Sequence, residues 1–114
     1  MLGATLDTAE YLERLKTEID QLDQAAIQRW SDLVYKAWEN EKFVFVFGNG
    51  GSGTNATHFS EDLGKSSLRE EDLKDESKKR LKIMSLTDNV GWILALGNDV
   101  GYDQIFVQQL MNYG

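Results

Sequence analysis

The chain has 114 residues, 41% of them hydrophobic and 11% aromatic, enough for one small globular domain. Twelve basic residues against nineteen acidic give a net charge of −7, which argues against a binder of nucleic acid or of an anionic membrane surface. Cysteine is absent, so disulfides and thiol chemistry are excluded, and no apolar run approaches the roughly 20 residues of a membrane span.

In chain order, Leu6-Asp7-Thr8-Ala9-Glu10-Tyr11 reads as a helix start. Asp7 can cap, Glu10 can reach back to it, and Leu6 and Tyr11 are placed as a hydrophobic staple. Leu12, Leu15, Ile19 and Leu22 follow at spacings of three and four, forming one apolar stripe. Asp23 is placed to interrupt that helix and recap the next, whose stripe is Ile27, Trp30, Leu33, Val34 and Ala37, running to about Asn40. Two amphipathic helices, or one bent one, are expected to pack on a sheet or a second subunit.

Phe43 to Phe47 is an unbroken run of β-branched and aromatic residues, the pattern of a strand buried on both faces. It breaks into Gly48-Asn49-Gly50-Gly51-Ser52-Gly53, and helical spacing returns from Thr54 to Leu63. A tight turn needs one glycine for a positive φ. Four, set among Asn and Ser at the start of a helix, suit a turn that aims backbone N–H groups at an anion such as a phosphate. Several of those N–H groups are expected to stay unpaired within the protein. On the following helix His58 and Asp62 are four apart on one face, with Glu61 on the adjoining edge. Imidazole and carboxylate at this spacing suit a metal pair or an acid–base pair. His58 and Asp62 are expected to face the cleft of Ser52, and Glu61 to turn away from it.

Lys65 to Lys82 is charge-dense and reads as a solvated loop with room for a helical turn and some disorder. Its Lys78-Lys79-Arg80 cluster reads as a lead-in to the second strand, Leu81 to Leu86. That strand ends at Thr87-Asp88-Asn89, the end at which open α/β sheets place ligands. Asp88 is a candidate for ligand contact, for a helix cap, or for both. Val90 to Leu96 reads as a helix, Gly97 to Gly101 as a turn, and Tyr102 to Tyr113 as a last helix. Two parallel strands are few for a sheet covered on both faces, so a fragment lacking its C-terminal half is expected.

Gly48-Asn49-Gly50-Gly51-Ser52 followed by His58-Phe59-Ser60-Glu61-Asp62-Leu63 resembles the sugar isomerase (SIS) domain family, closest to its phosphoheptose isomerase branch. Ser85-Leu86-Thr87-Asp88 and Gly97-Asn98-Asp99-Val100-Gly101-Tyr102 match in order and spacing, so the likeness runs the length of the chain. It implies an α/β fold with a doubly wound parallel sheet, of which this chain holds the N-terminal half: helices over 1–41, then the first βα units over 42–114. It implies a cytoplasmic homotetramer that interconverts sedoheptulose 7-phosphate and a heptose 7-phosphate, with sites at subunit boundaries. By position, Gly48, Asn49, Gly50, Gly51 and Ser52 would bind the phosphosugar and Asp88 would lie near its hydroxyls. Asp62 stands at the catalytic base, and His58 with Asp62 at a zinc pair found in some members. No nucleotide cofactor is implied.

Two departures stand out. The family base is Glu, so Asp62 is one methylene short, and a misplacement on the order of 1 Å can cost ~10²-fold in rate. The Ser/Thr-rich phosphate loop, and the C-terminal helix with its Gln and acid His, have no counterpart here. A non-catalytic SIS module that binds a phosphosugar or a protein partner is therefore the alternative. Gly48, Gly50 and Gly53 also spell the dinucleotide fingerprint, but its acid belongs about twenty residues on, and Asp88 lies 35 residues after Gly53.

Overall fold

The computed structural model describes residues 5–114. Contacts divide the chain into two units, Met1–Asp32 and Leu33–Gly114. The first holds helix α1 (Thr8–Asp20) and the start of helix α2 (Gln24–Glu39). The expected capping box opens α1: Glu10 N–H donates to Asp7 Oδ1 at 2.9 Å, and Asp7 N–H donates to Glu10 Oε2 at 2.8 Å. Asp23 recaps the chain as expected, its Oδ1 accepting from Ala26 N–H at 2.9 Å. No residue of α1 or α2 is buried; Leu12, Leu15, Ile19, Ile27, Trp30 and Leu33 all stay exposed. Leu6 and Tyr11, the expected staple, are more than half exposed as well.

The second unit carries the α/β fold. Strand β1 (Phe43–Val46) pairs in parallel with strand β2 (Lys82–Ser85), Phe43 opposite Lys82 and Val46 opposite Ser85. Helix α3 (Gly51–Ser66) makes the connection between them, as parallel pairing requires. A 3₁₀ turn over Leu86–Asp88 leads into helix α4 (Val90–Asp99), and a second over Tyr102–Gln104 into helix α5 (Val107–Tyr113). Ala56, Leu81, Leu86 and Ile105 form the buried core, joined by the polar Ser85 and Gln109.

Three boundaries and one burial pattern differ from the sequence expectation. Helix α3 starts at Gly51, not Thr54, because Gly50 at φ 56° turns the chain and the Asn49 and Gly50 carbonyls accept the first helical N–H groups. Helix α4 runs through Gly97–Asp99. Its stop comes at Gly101, φ 153°, where the N–H groups of Val100 and Gly101 both reach the Leu96 carbonyl. The expected last helix is split into the 3₁₀ turn over Tyr102–Gln104 and α5, with Phe106 at the N-cap of α5 and its ring 4.9 Å from that of Phe47. Strand β1 is only half-buried, since among the described residues it has one neighbouring strand.

The charged segment after α3 contains a 3₁₀ turn over Glu70–Asp72. Its basic residues are spent on structure: Arg80 Nη2 donates to the Leu73 carbonyl at 2.6 Å, Lys78 pairs with Asp72 at 3.0 Å, and Lys79 lies over the Trp38 ring. That agrees with a strand lead-in. No helix among the described residues is long and apolar enough to cross a membrane.

Candidate functional site

Two hydroxyls fasten the end of β2, one to the glycine turn and one to α3. Thr87 Oγ1 accepts from Gly48 N–H at 3.2 Å and donates to the Gly48 carbonyl at 3.1 Å. Thr57 Oγ1 donates to Asp88 Oδ1 at 2.5 Å, joining α3 to that strand end. The glycines are what let the parts close. A Cβ at Gly48 would lie 2.7 Å from the Ser52 backbone, and one at Gly53 would lie 2.8 Å from the Gly48 carbonyl oxygen.

Of the five N–H groups from Gly48 to Ser52, two are paired: Gly48 to Thr87, and Ser52 to the Asn49 carbonyl at 3.1 Å. Those of Asn49, Gly50 and Gly51 have no hydrogen-bond partner among the described residues, nor do the side chains of Asn49 and Ser52. Three consecutive free donors at the head of a sixteen-residue helix can hold an anion.

Beside the C-terminal end of β2 lies an open cleft of about 790 Å³, walled by Thr57, Ser60 and Glu61 of α3, Ser85 of β2, Asp88 and Asn89. Ser52 does not line this cleft; Glu61 does, and His58 and Asp62 do not. They stand on another face of α3, exposed, with His58 Nε2 3.2 Å from Asp62 Oδ2. The sequence holds the signal that settles the face. Gly53, Ala56, Thr57, Ser60 and Gly64 are small residues at helical spacing, and a helix lays its small residues against a sheet. Ala56 is buried, and Gly64 approaches Ile83 so closely that a Cβ there would meet its side chain at 3.3 Å. Helical spacing alone groups His58 with Asp62 but leaves open which face meets the sheet. Of the two roles expected for Asp88, the cap is corrected: Asn89 stands at the N-cap position of α4, without a side-chain cap bond, while Asp88 closes the 3₁₀ turn and accepts from Thr57. From the sequence, Thr87 is expected only as part of the strand end, and Thr57 has no expected role of its own.

The Glu61 carboxylate accepts from Lys65 Nζ at 2.7 Å, and this hydrogen bond and the ammonium charge hold its pKa below the usual glutamate range. The same contact raises Lys65. The donor atoms of His58, Glu61 and Asp62 all lie within 4.8 Å of one another. One imidazole and two carboxylates form a ligand set that zinc accepts. The 3.2 Å between His58 and Asp62 is close to the roughly 3.4 Å separating two ligands on one tetrahedral zinc.

The SIS-domain family profile matches residues 9–113. The chain is 34% identical over 113 residues to a phosphoheptose isomerase of Buchnera aphidicola, covering 99% of this chain and 52% of that protein. It is 30% identical over 103 residues to the phosphoheptose isomerase of Helicobacter pylori, covering 90% of this chain and 49% of that one. Among solved structures, a phosphoheptose isomerase from Neisseria gonorrhoeae superposes with a TM-score of 0.75 at 25% identity, over 93% of this chain and 52% of its own. The chain thus spans about half the length of the relatives it matches. With the parallel β1–α3–β2 unit and the glycine turn in place, the matches settle membership: this chain belongs to the SIS-domain family, in its phosphoheptose isomerase-like branch.

Proposed function

We propose that the chain is the N-terminal half of the SIS domain of an aldose–ketose phosphosugar isomerase acting on sedoheptulose 7-phosphate and a heptose 7-phosphate. The observation that carries this is the run of three free amides at Asn49, Gly50 and Gly51, flanked by the free side chains of Asn49 and Ser52. It supplies the donors that a sugar phosphate requires. Gly48 shapes that turn, and Asp88, on the rim of the neighbouring cleft, accepts from sugar hydroxyls.

Proton transfer between adjacent carbons needs a carboxylate, and two are candidates. Asp62 holds the family position, on a face of α3 that a neighbouring subunit of a homotetramer would close. Glu61 lies on the cleft, but Lys65 already occupies its oxygen and weakens it as a base. We assign the base to Asp62, with His58 holding its carboxylate. His58 and Asp62 would hold a zinc ion, which would supply a Lewis acid beside the sugar oxygens. The rest of the site, including the acid that opens the sugar ring, comes from the other half of the domain.

The test is a sedoheptulose 7-phosphate isomerisation assay on the full-length protein, with metal analysis of the same sample. Asp62→Asn is expected to lower kcat by about 10²–10⁴-fold, the range for loss of a general base, and Glu61→Gln to change it little. The opposite ranking would move the base to Glu61. No turnover, together with retained binding of the sugar phosphate, would establish the second reading, a non-catalytic phosphosugar-binding module. The shortened carboxylate at Asp62 is the observation that favours that reading.

A further inference from the structure

We propose that Gln109 is a positioning residue for the site, holding the Leu86–Asp88 turn in register with the glycine turn from beneath. Its side chain is fully buried beside Leu86, and its Nε2 donates twice, to the Leu86 carbonyl at 3.2 Å and to the Ile105 carbonyl at 2.7 Å. The Ile105 bond, four residues back along the chain, fixes the rotamer. The Leu86 bond, across 23 residues, fixes the end of β2.

Packing alone does not explain a glutamine here. Its Oε1 is buried and has no hydrogen-bond partner among the described residues, a cost that Met or Leu of similar volume would avoid. What the amide adds is a donor at the Leu86 carbonyl, the last peptide before the two groups that organise the site. Thr87, next in the chain, clasps both the N–H and the carbonyl of Gly48. Asp88, one residue further, takes the Thr57 hydroxyl at the cleft wall. One buried amide therefore sets the height of the clasp and of the sugar-facing carboxylate together. The link to catalysis rests on the phosphosugar reading above; the link to the geometry of the turn does not.

The experiment compares Gln109→Met with the unsubstituted full-length protein by amide hydrogen exchange and by isomerisation kinetics. The Gly48 and Thr87 amides are expected to exchange roughly tenfold faster, the factor carried by about one hydrogen bond, while the α3 amides of Ala56 and Ser60 keep their rates. KM for the sugar phosphate should rise severalfold, with kcat less affected. In a Thr87→Val background the clasp is already open, so Gln109→Met should add no further exchange at Gly48. If Gln109→Met does not fold, Gln109→Asn, which keeps the amide but shortens its reach, should show the same local pattern. Unchanged rates at Gly48 and Thr87, or a rise shared equally by α3, would overturn the proposal. An unsubstituted protein that shows no isomerisation would remove the functional reading, and the exchange pattern would still judge Gln109.

Discussion

Glu61 and Asp62 are neighbours in sequence with similar exposure, yet the structure gives them different chemistry. Glu61 keeps its carboxylate 2.7 Å from the Lys65 ammonium, and Asp62 keeps its own 3.2 Å from the His58 ring. The Lys65 contact lowers the Glu61 pKa, so it favours the folded state while Glu61 is ionised. That contribution is complete above the glutamate's unfolded pKa and is lost as pH falls through the lower, folded value. Both side chains are 59% exposed, so salt screens the effect. Lys65→Met should return the Glu61 titration toward the ordinary glutamate range, read by carboxyl-carbon NMR at low salt. A midpoint that does not rise would show that Lys65 is not its partner in solution.

Helix α3 shows what a sequence discloses about an element and what it withholds. Its existence and its glycine-rich entry follow from the composition of Phe43 to Leu63. So do the starts of α1 and α2, where Asp7, Glu10 and Asp23 act through local side-chain bonds. What escapes is decided by distant partners. Gly51 and Gly53 are helical despite their poor propensity, because Gly53 meets the Gly48 carbonyl and Thr87 from the two strand ends. Gly97 also stays inside α4, where an added Cβ would make only an ordinary 3.8 Å contact with the Ile105 side chain. The face of α3 that meets the sheet, and with it the place of Glu61 on the cleft beside β2, follows from its small residues and not from any local pattern of charges. In the same way the apolar run of β1 announces a strand but not how many neighbours it has. Gly53→Ala tests this close approach. The added methyl has 2.8 Å contacts with backbone and with Thr87 Cγ2, so a loss of about 1–3 kcal/mol is expected in chemical denaturation. An unchanged midpoint would mean that the helix can slide off the strand ends at little cost.

At the scale of the whole molecule, the amphipathic helices leave their stripes in solvent: Leu12, Leu15, Ile19, Trp30 and Leu33 are 43–65% exposed. Covering one such side chain contributes about 1.5–3 kcal/mol, against a total of roughly 5–15 kcal/mol for a small domain. We therefore predict self-association through these faces, the arrangement a SIS homotetramer would use. Light scattering should give a mass well above the 12.9 kDa of one chain, and a monodisperse monomer that unfolds cooperatively would refute it. The two-stranded sheet has a consequence of another kind. Phe43-Val44-Phe45-Val46-Phe47 has no charge and no proline, and β1 has one ladder partner among the described residues, so its other edge offers free backbone groups. Lys42 guards one end, while Gly48 and Asn49 close the other with poor strand formers. Where that edge stays uncovered, we predict that the five residues leading into the glycine turn act as a template for amyloid. Fibril growth monitored by thioflavin fluorescence should therefore slow sharply in Val44→Lys, and to a lesser degree when a further strand covers that edge.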